Sequence, residues 1–353
     1  MRTVEAKILK INNDIPLRQQ LIEAAQIIKS GGLVVFPTET VYGLGADGIN
    51  ASAAKRIYEA KGRPSDNPLI IHVSSPMETE KYAYTSQVYY KLAEAFMPGP
   101  LTVVLPARDT VPPETRGGLK TVAVRCPENK IARELISLSG TAIAAPSANI
   151  SGTPSPTCFR HVYADMKDRV DMIIDGGECA IGLESTIVSI DNEGKLTLLR
   201  PGGITVSDIK KIGLDITVAD AVTKELPEGE VALSPGMKYK HYAPKAPLVL
   251  LEGENEDILK YLTKREEKKV CIIIYEEDID YYKNSLPFAT VFDFGERYDE
   301  KEQAKRLFKL LRDADQEEHE IIYAPLPRKE GLGLALYNRM IRAAAHKIIK
   351  LRR

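Results

Sequence analysis

The chain has 353 residues, 44% of them hydrophobic and 27% charged, which is a length near two ordinary domains with enough apolar side chain for real cores. Lys+Arg 48 against Asp+Glu 49 gives a formal net charge of -1, which argues against a protein devoted to coating nucleic acid or anionic membrane. Cys126, Cys158, Cys179 and Cys271 lie far apart with no Cys-x-x-Cys pair, which speaks against a disulfide framework or a thiolate zinc site. From the N-terminus, MRTVEAKILKINND lacks the apolar stretch of a signal peptide, and no apolar run approaches membrane-spanning length. The expectation is a cytoplasmic protein. Leu17, Leu21, Ile22, Ala25 and Ile28 stand at helical spacing, closed by Ser30-Gly31-Gly32. Leu33–Phe36 then predicts a short buried strand, and Asn50 caps a helix carrying Ala53, Ala54, Ile57 and Tyr58 up to Gly62. Strand-like runs follow at Leu69–Val73, Leu101–Leu105, Thr121–Arg125, Thr141–Ala145 and Met172–Ile174. Thr186–Ile190 and Lys195–Leu199 flank Asp191-Asn192-Glu193-Gly194, a hairpin signature that makes the sheet mixed rather than purely parallel.

Residues 213–233 predict a connector with a short strand. Ser234–Pro244 follows, with prolines at 235 and 244 and a glycine at 236, and predicts an ordered, extended linker. From Pro247 the strand–helix rhythm restarts: strands at Leu248–Leu251, Val270–Tyr275, Thr290–Phe292 and Ile321–Ala324, and helices near Asp257–Thr263, Lys301–Asp313 and Leu334–Ile349. The expected organisation is α/β throughout. Residues 1–212 form a mixed-sheet domain, 213–246 a connector and linker, and 247–353 a smaller Rossmann-like α/β domain.

No Gly-x-x-x-x-Gly-Lys-Ser/Thr loop occurs. Gly43–Gly48 matches the dinucleotide fingerprint by letter, but Pro37-Thr38-Glu39-Thr40 separates it from the preceding strand. It reads better as a backbone turn whose glycines allow close approach to a ligand or a neighbouring element. Lys61-Gly62-Arg63-Pro64 is either a solvated helix C-cap or part of an anion pocket, and neither cation looks like a core residue. Arg125 and Arg200 each end a strand, where a guanidinium is costly unless it meets an anion. Ala145–Ser155 is dense in hydroxyls and amides, as a plain turn or as neutral donors around phosphate, sugar or base. His72 in an apolar strand is structural or catalytic, and Cys126 is read as buried rather than as an activated thiolate.

Six segments occur in order: Pro37-Thr38-Glu39-Thr40-Val41-Tyr42-Gly43-Leu44, Lys61-Gly62-Arg63-Pro64, Asn67-Pro68-Leu69, Pro98-Gly99-Pro100, Ala145-Pro146-Ser147-Ala148-Asn149 and Glu184-Ser185-Thr186-Ile187. Together they resemble the threonylcarbamoyl-AMP synthase family, whose core is the YrdC-like domain. Ser234-Pro235-Gly236-Met237-Lys238-Tyr239 and the C-terminal α/β region resemble its long, two-domain form. The resemblance implies synthesis of threonylcarbamoyl-AMP and pyrophosphate from L-threonine, bicarbonate or CO2, and ATP. The product would pass to a tRNA threonylcarbamoyl transferase that modifies adenosine 37. It further implies that Thr40, His72, Arg125, Ala145 and Ser185 line the threonine pocket. Arg63, Asn67, Thr121, Ser147, Asn149, Ser155, Arg200 and Tyr239 would contact ATP, with Lys61 and Arg63 as the catalytic pair and His241 and Tyr242 behind Tyr239.

Such chemistry needs no covalent enzyme intermediate, in keeping with a chain that shows no convincing nucleophile–base dyad. Mg2+ is expected to arrive with ATP and keep several waters, since no metal cage of clustered Asp, Glu and His is visible. A competing reading is an RNA-binding or ribosome-associated factor without nucleotidyl transfer, against which stand the near-neutral charge and the lack of an aromatic RNA-binding motif. Direct tRNA binding and membrane association are not expected.

Overall fold

The computed structural model describes residues 5–224, Ser234 and 241–351. The chain divides into two compact units, Met1–Ser151 with Ser155–Lys238, and Gly152–Pro154 with Tyr239–Arg353. Among the described residues, no helix is long and apolar enough to cross a membrane.

The first unit holds strands β1 (Lys7–Lys10), β2 (Val34–Phe36), β3 (Gly43–Asp47), β4 (Ile70–His72), β5 (Leu101–Pro106) and β6 (Thr121–Arg125). It continues with β7 (Ile143–Ala144), β8 (Met172–Asp175), β9 (Thr186–Ile190), β10 (Leu196–Arg200) and β11 (Ile216–Val218). They make one eleven-stranded sheet in the order β1-β8-β2-β3-β7-β4-β6-β5-β9-β10-β11. Its pairings are mixed, as the hairpin between β9 and β10 required: that pair is antiparallel, and β10 and β11 are parallel. On one flank, Leu21, Ala24 and Ile28 pack with Leu135 and Ile136 against Val34, Phe36, Ile143 and Met172. Burying each such aliphatic side chain contributes about 1.5–3 kcal/mol, which commits these helices to the sheet.

Two local expectations change. Gly43–Gly48 is not a turn, because most of it is β3, paired antiparallel with both β2 and β7. Close approach is what its glycines provide: a Cβ on Gly45 would meet Phe36 at 2.6 Å and Ile143 at 2.8 Å. The first helix breaks at Leu21 into Leu17–Gln20 and Ile22–Lys29. The short edge strand β1, exposed except for half-buried Leu9, has no counterpart among the expected strands.

The second unit carries β12 (Leu248–Glu252), β13 (Val270–Ile274), β14 (Thr290–Asp293), β15 (Ile321–Pro325) and β16 (Ile348–Lys350), in the order β14-β13-β15-β12-β16. Every pairing among them is parallel. The expected final helix ends early, spanning Gly333–Ala343. There His346 N–H bonds Ile341 O at 2.8 Å and Ala345 N–H bonds Arg342 O at 3.1 Å. Ala345 and His346 take positive φ of 46° and 61°, a Schellman closure that turns the chain into β16.

Candidate active site

Backbone register assembles the site. His72 on β4 stands opposite Arg125 on β6, and Arg125 opposite Thr102 on β5. Thr102 stands opposite Ile187 on β9, and Ile187 opposite Arg200 on β10. Directly paired residues point to the same face at strand spacings of about 4.8 Å, so one row across five strands gathers residues scattered over the chain. Ser185, just before β9, joins this row: its hydroxyl lies 2.7 Å from Thr102 Oγ1 and accepts from Arg200 Nη2 at 3.2 Å. Arg200 Nε also donates to Ser185 O at 3.1 Å. Ala145 bonds through its N–H to Ile70 O at 2.9 Å, two residues before His72 on β4.

Arg125 is 4% exposed. Its guanidinium donates to Glu39 Oε1 at 2.5 Å, Thr40 Oγ1 at 2.9 Å and Gly99 O at 3.3 Å. Of its five N–H groups, these bonds use three. Burial works to raise the Glu39 carboxyl, and the Arg125 charge and hydrogen bond overcome it, holding Glu39 below the usual carboxylate range. A second carboxylate, Glu184, accepts from the Ser155 hydroxyl. Sequence reasoning gave no site role to Thr102, nor to Glu39 and Glu184 although both lie in its motifs. A carboxylate within the Pro37–Thr40 motif, facing an arginine that ends a strand, was the available signal for Glu39.

His72 is 3% exposed and its Nδ1 has no hydrogen-bond partner. Burial first, and the neighbouring Arg125 charge second, push its pKa from 6.5 down to about 3, so the ring is neutral at physiological pH. A buried orphan nitrogen costs free energy unless a ligand satisfies it. The depressed value also has a stability consequence. Between pH 6.5 and about 3 the unfolded chain binds the proton that the folded chain refuses, so stability falls by about 1.4 kcal/mol per unit of acidification. His72→Gln is expected to flatten that part of the denaturation-versus-pH curve, and an unchanged slope would contradict it.

Lys61 closes the helix Ala51–Lys61, which Asn50 caps by accepting from Ser52 and Ala53 N–H. It is not a solvated cap. At 2% exposure its ammonium donates to Ser147 O at 2.5 Å, Asn149 O at 2.6 Å and Asn149 Oδ1 at 3.4 Å. Ser147 Oγ donates to the same Asn149 Oδ1 at 2.5 Å, so Lys61, Ser147 and Asn149 form one locked cluster. Arg63 stands beyond the left-handed Gly62 (φ 62°) and donates to Asn67 O at 3.2 Å and Pro68 O at 3.1 Å. Asn67 Oδ1 is buried without a partner.

Thr121 opens β6 while Arg125 ends it, about 13 Å apart along an extended strand, so the structure does not bring Thr121 into the Arg125 group. Tyr239 lies outside the described residues, as does most of the expected linker. Tyr242, expected behind Tyr239, is a described residue. It is buried within the second unit, its ring stacked 5.3 Å from Phe308 with the Arg339 guanidinium 5.5 Å away. Cys126 is buried, its thiol pushed up to about 12 chiefly by burial.

A family profile described as "Telomere recombination", covering the Sua5, YciO and YrdC proteins, matches residues 26–202. A second, described as "Threonylcarbamoyl-AMP synthase, C-terminal domain", matches residues 204–345. The threonylcarbamoyl-AMP synthase of Pyrococcus abyssi is 44% identical over 93% of this chain and 95% of its own length. That of Bacillus subtilis is 41% identical over 94% of each. The crystal structure of P. abyssi Sua5 complexed with L-threonine superposes with a TM-score of 0.88 at 41% identity, covering 99% of this chain and 100% of that one. With the mixed-sheet core, the parallel second sheet and relatives this similar over nearly their full length, the chain belongs to the threonylcarbamoyl-AMP synthase family.

Proposed function

We propose that the chain condenses L-threonine, bicarbonate or CO2, and ATP into threonylcarbamoyl-AMP with release of pyrophosphate, for transfer to tRNA by a separate threonylcarbamoyl transferase. The carrying observation is the cross-strand row, which sets the buried Arg125 beside a neutral His72 with a free ring nitrogen, next to Thr40 and Ser185. A buried cation and neutral polar groups suit a small zwitterion bearing a hydroxyl. Arg125 has two N–H groups to grip the carboxylate, and His72 Nδ1 can meet the ligand as a neutral partner.

The amine of threonine attacks CO2, forming the N–C bond and losing a proton. A carbamate oxygen then attacks the α-phosphorus of ATP, and the bond to the pyrophosphate oxygen breaks. Neither step needs an enzyme nucleophile, so positioning and charge stabilisation carry the catalysis. Arg63 and Arg200 supply cationic donors toward phosphate, Asn67 Oδ1 an unmet acceptor, and Lys61 holds Ser147 and Asn149 in place. Among the described residues, no three His, Cys, Asp or Glu side chains gather into a metal cage. Mg2+ would arrive with the triphosphate and keep several waters, neutralising phosphate charge.

Pyrophosphate release from ATP is expected only when both threonine and bicarbonate are present, because the nucleophile is their adduct. Arg125→Lys, which keeps charge but loses the planar fork, is expected to raise the threonine requirement most. AMP formation with either co-substrate omitted would overturn the mechanism.

A further inference from the structure

The parallel sheet of the second unit ends in a crevice lined by none of the candidate-site residues. The chain leaves β12 toward β13 and leaves β15 toward β16, in opposite directions along the sheet although β12 and β15 are neighbours. In doubly wound sheets, ligands bind at the carboxyl ends of strands where the connections diverge in this way. A cavity of about 260 Å³ opens there, lined by the ends of β12, β13 and β15 and by Asn255, Arg297, Tyr298 and Arg328.

Its chemistry is that of a phosphate next to a flat ring. The Arg297 guanidinium lies 4.6 Å from the centre of the Tyr275 ring, and that of Arg328 lies 5.2 Å from the Tyr298 ring. Each arginine is anchored by one carboxylate, Arg297 to Asp278 at 2.5 Å and Arg328 to Glu300 at 2.7 Å. Neither Asp278 nor Glu300 lines the cavity, so the anchors hold the guanidiniums without filling it. Glu252 is the one carboxylate in the lining, with Lys350 Nζ 3.8 Å away. Tyr298 is 75% exposed, an aromatic surface at the rim suited to stacking a planar ligand.

We infer that this crevice binds a nucleoside monophosphate, its phosphate taken by Arg297 and Arg328 and its base stacked on Tyr298. The turn after β12 reads Glu252-Gly253-Glu254-Asn255, without the glycine-rich backbone cradle of a dinucleotide site. The cavity also falls just below the ordinary range of small-molecule pockets, which favours one nucleotide over two linked ones. Guanidinium forks replace the missing backbone donors.

Photolabelling of the full chain with 8-azido-AMP, followed by peptide mapping, tests this. Saturable label is expected on peptides carrying Tyr275 or Tyr298, displaced by AMP. Arg297→Gln with Arg328→Gln should weaken that labelling about tenfold or more, while pyrophosphate release from ATP stays at the parental rate. Tyr298→Ala, which alters an exposed ring, should weaken it too. Label confined to the first unit, unchanged labelling in these variants, or displacement by inorganic phosphate as effective as by AMP would overturn the inference.

Discussion

Glu39→Ala is expected to destabilise the first unit by about 3–5 kcal/mol, because it strands the Arg125 charge in the interior. Arg125 is 4% exposed, and Glu39 is its carboxylate partner at 2.5 Å. Threonine use should fall with stability, since the guanidinium is aimed by Glu39, Thr40 and Gly99 together. Glu39→Gln keeps an acceptor but not the charge, and should lie between parent and alanine variant. Acid adds a second readout. The folded-state carboxyl lies below its ordinary 4.5, so the stability it contributes is present above pH 4.5 and is lost as pH falls through the lowered value. Urea denaturation of the three proteins at pH 7 and pH 4 measures both effects. A Glu39→Ala protein as stable as the parent would show that Arg125 is neutralised by something else.

The second large effect belongs to Lys61. Sequence alone makes it a helix-end cation whose removal affects activity and little else, and its 2% exposure corrects that. Lys61→Ala deletes the charged hydrogen bonds to Ser147 O, Asn149 O and Asn149 Oδ1. Losing hydrogen bonds to a charged donor costs about 1.5–3 kcal/mol each. Release of the Ser147–Asn149 loop should lower kcat/KM by about a hundredfold, the typical penalty for a displacement near 1 Å in a preorganised site. Lys61→Arg should not rescue, because a planar fork does not reproduce three converging donors. Thermal unfolding and pyrophosphate release together decide it: lost activity with parental stability would return Lys61 to the role of a simple phosphate contact.

Much of the fold was legible because apolar runs end at turn residues. Thr121–Arg125 and Thr186–Ile190 are strands over the expected residues, and Asp191–Gly194 makes the expected hairpin. β3 was not legible, since its glycines lack the branched side chains that mark a strand. The candidate site was legible as a set of residues but not as a geometry. Its register joins β4, β6, β5, β9 and β10, which are not in chain order, and no local periodicity encodes which residue faces which. The same is true of burial: Lys61 and Glu39 look solvated in isolation and are enclosed only by segments distant in sequence.

The His72–Arg125–Thr102–Ile187–Arg200 row has a kinetic meaning as well as a chemical one. Every link in it closes a loop between separate strands, so chain entropy is spent before any binding group finds its neighbours. The Ser185–Arg200 contact can form within the β9–β10 hairpin, but the links from His72 to Arg125 and from Thr102 to Ile187 join strands distant in sequence. Ligand affinity is thus confined to the chain whose central strands are all in register, and a bound substrate stabilises those strands as one cooperative block. Amide exchange in β4, β5, β6 and β9 should slow together on saturation with threonine, rather than strand by strand.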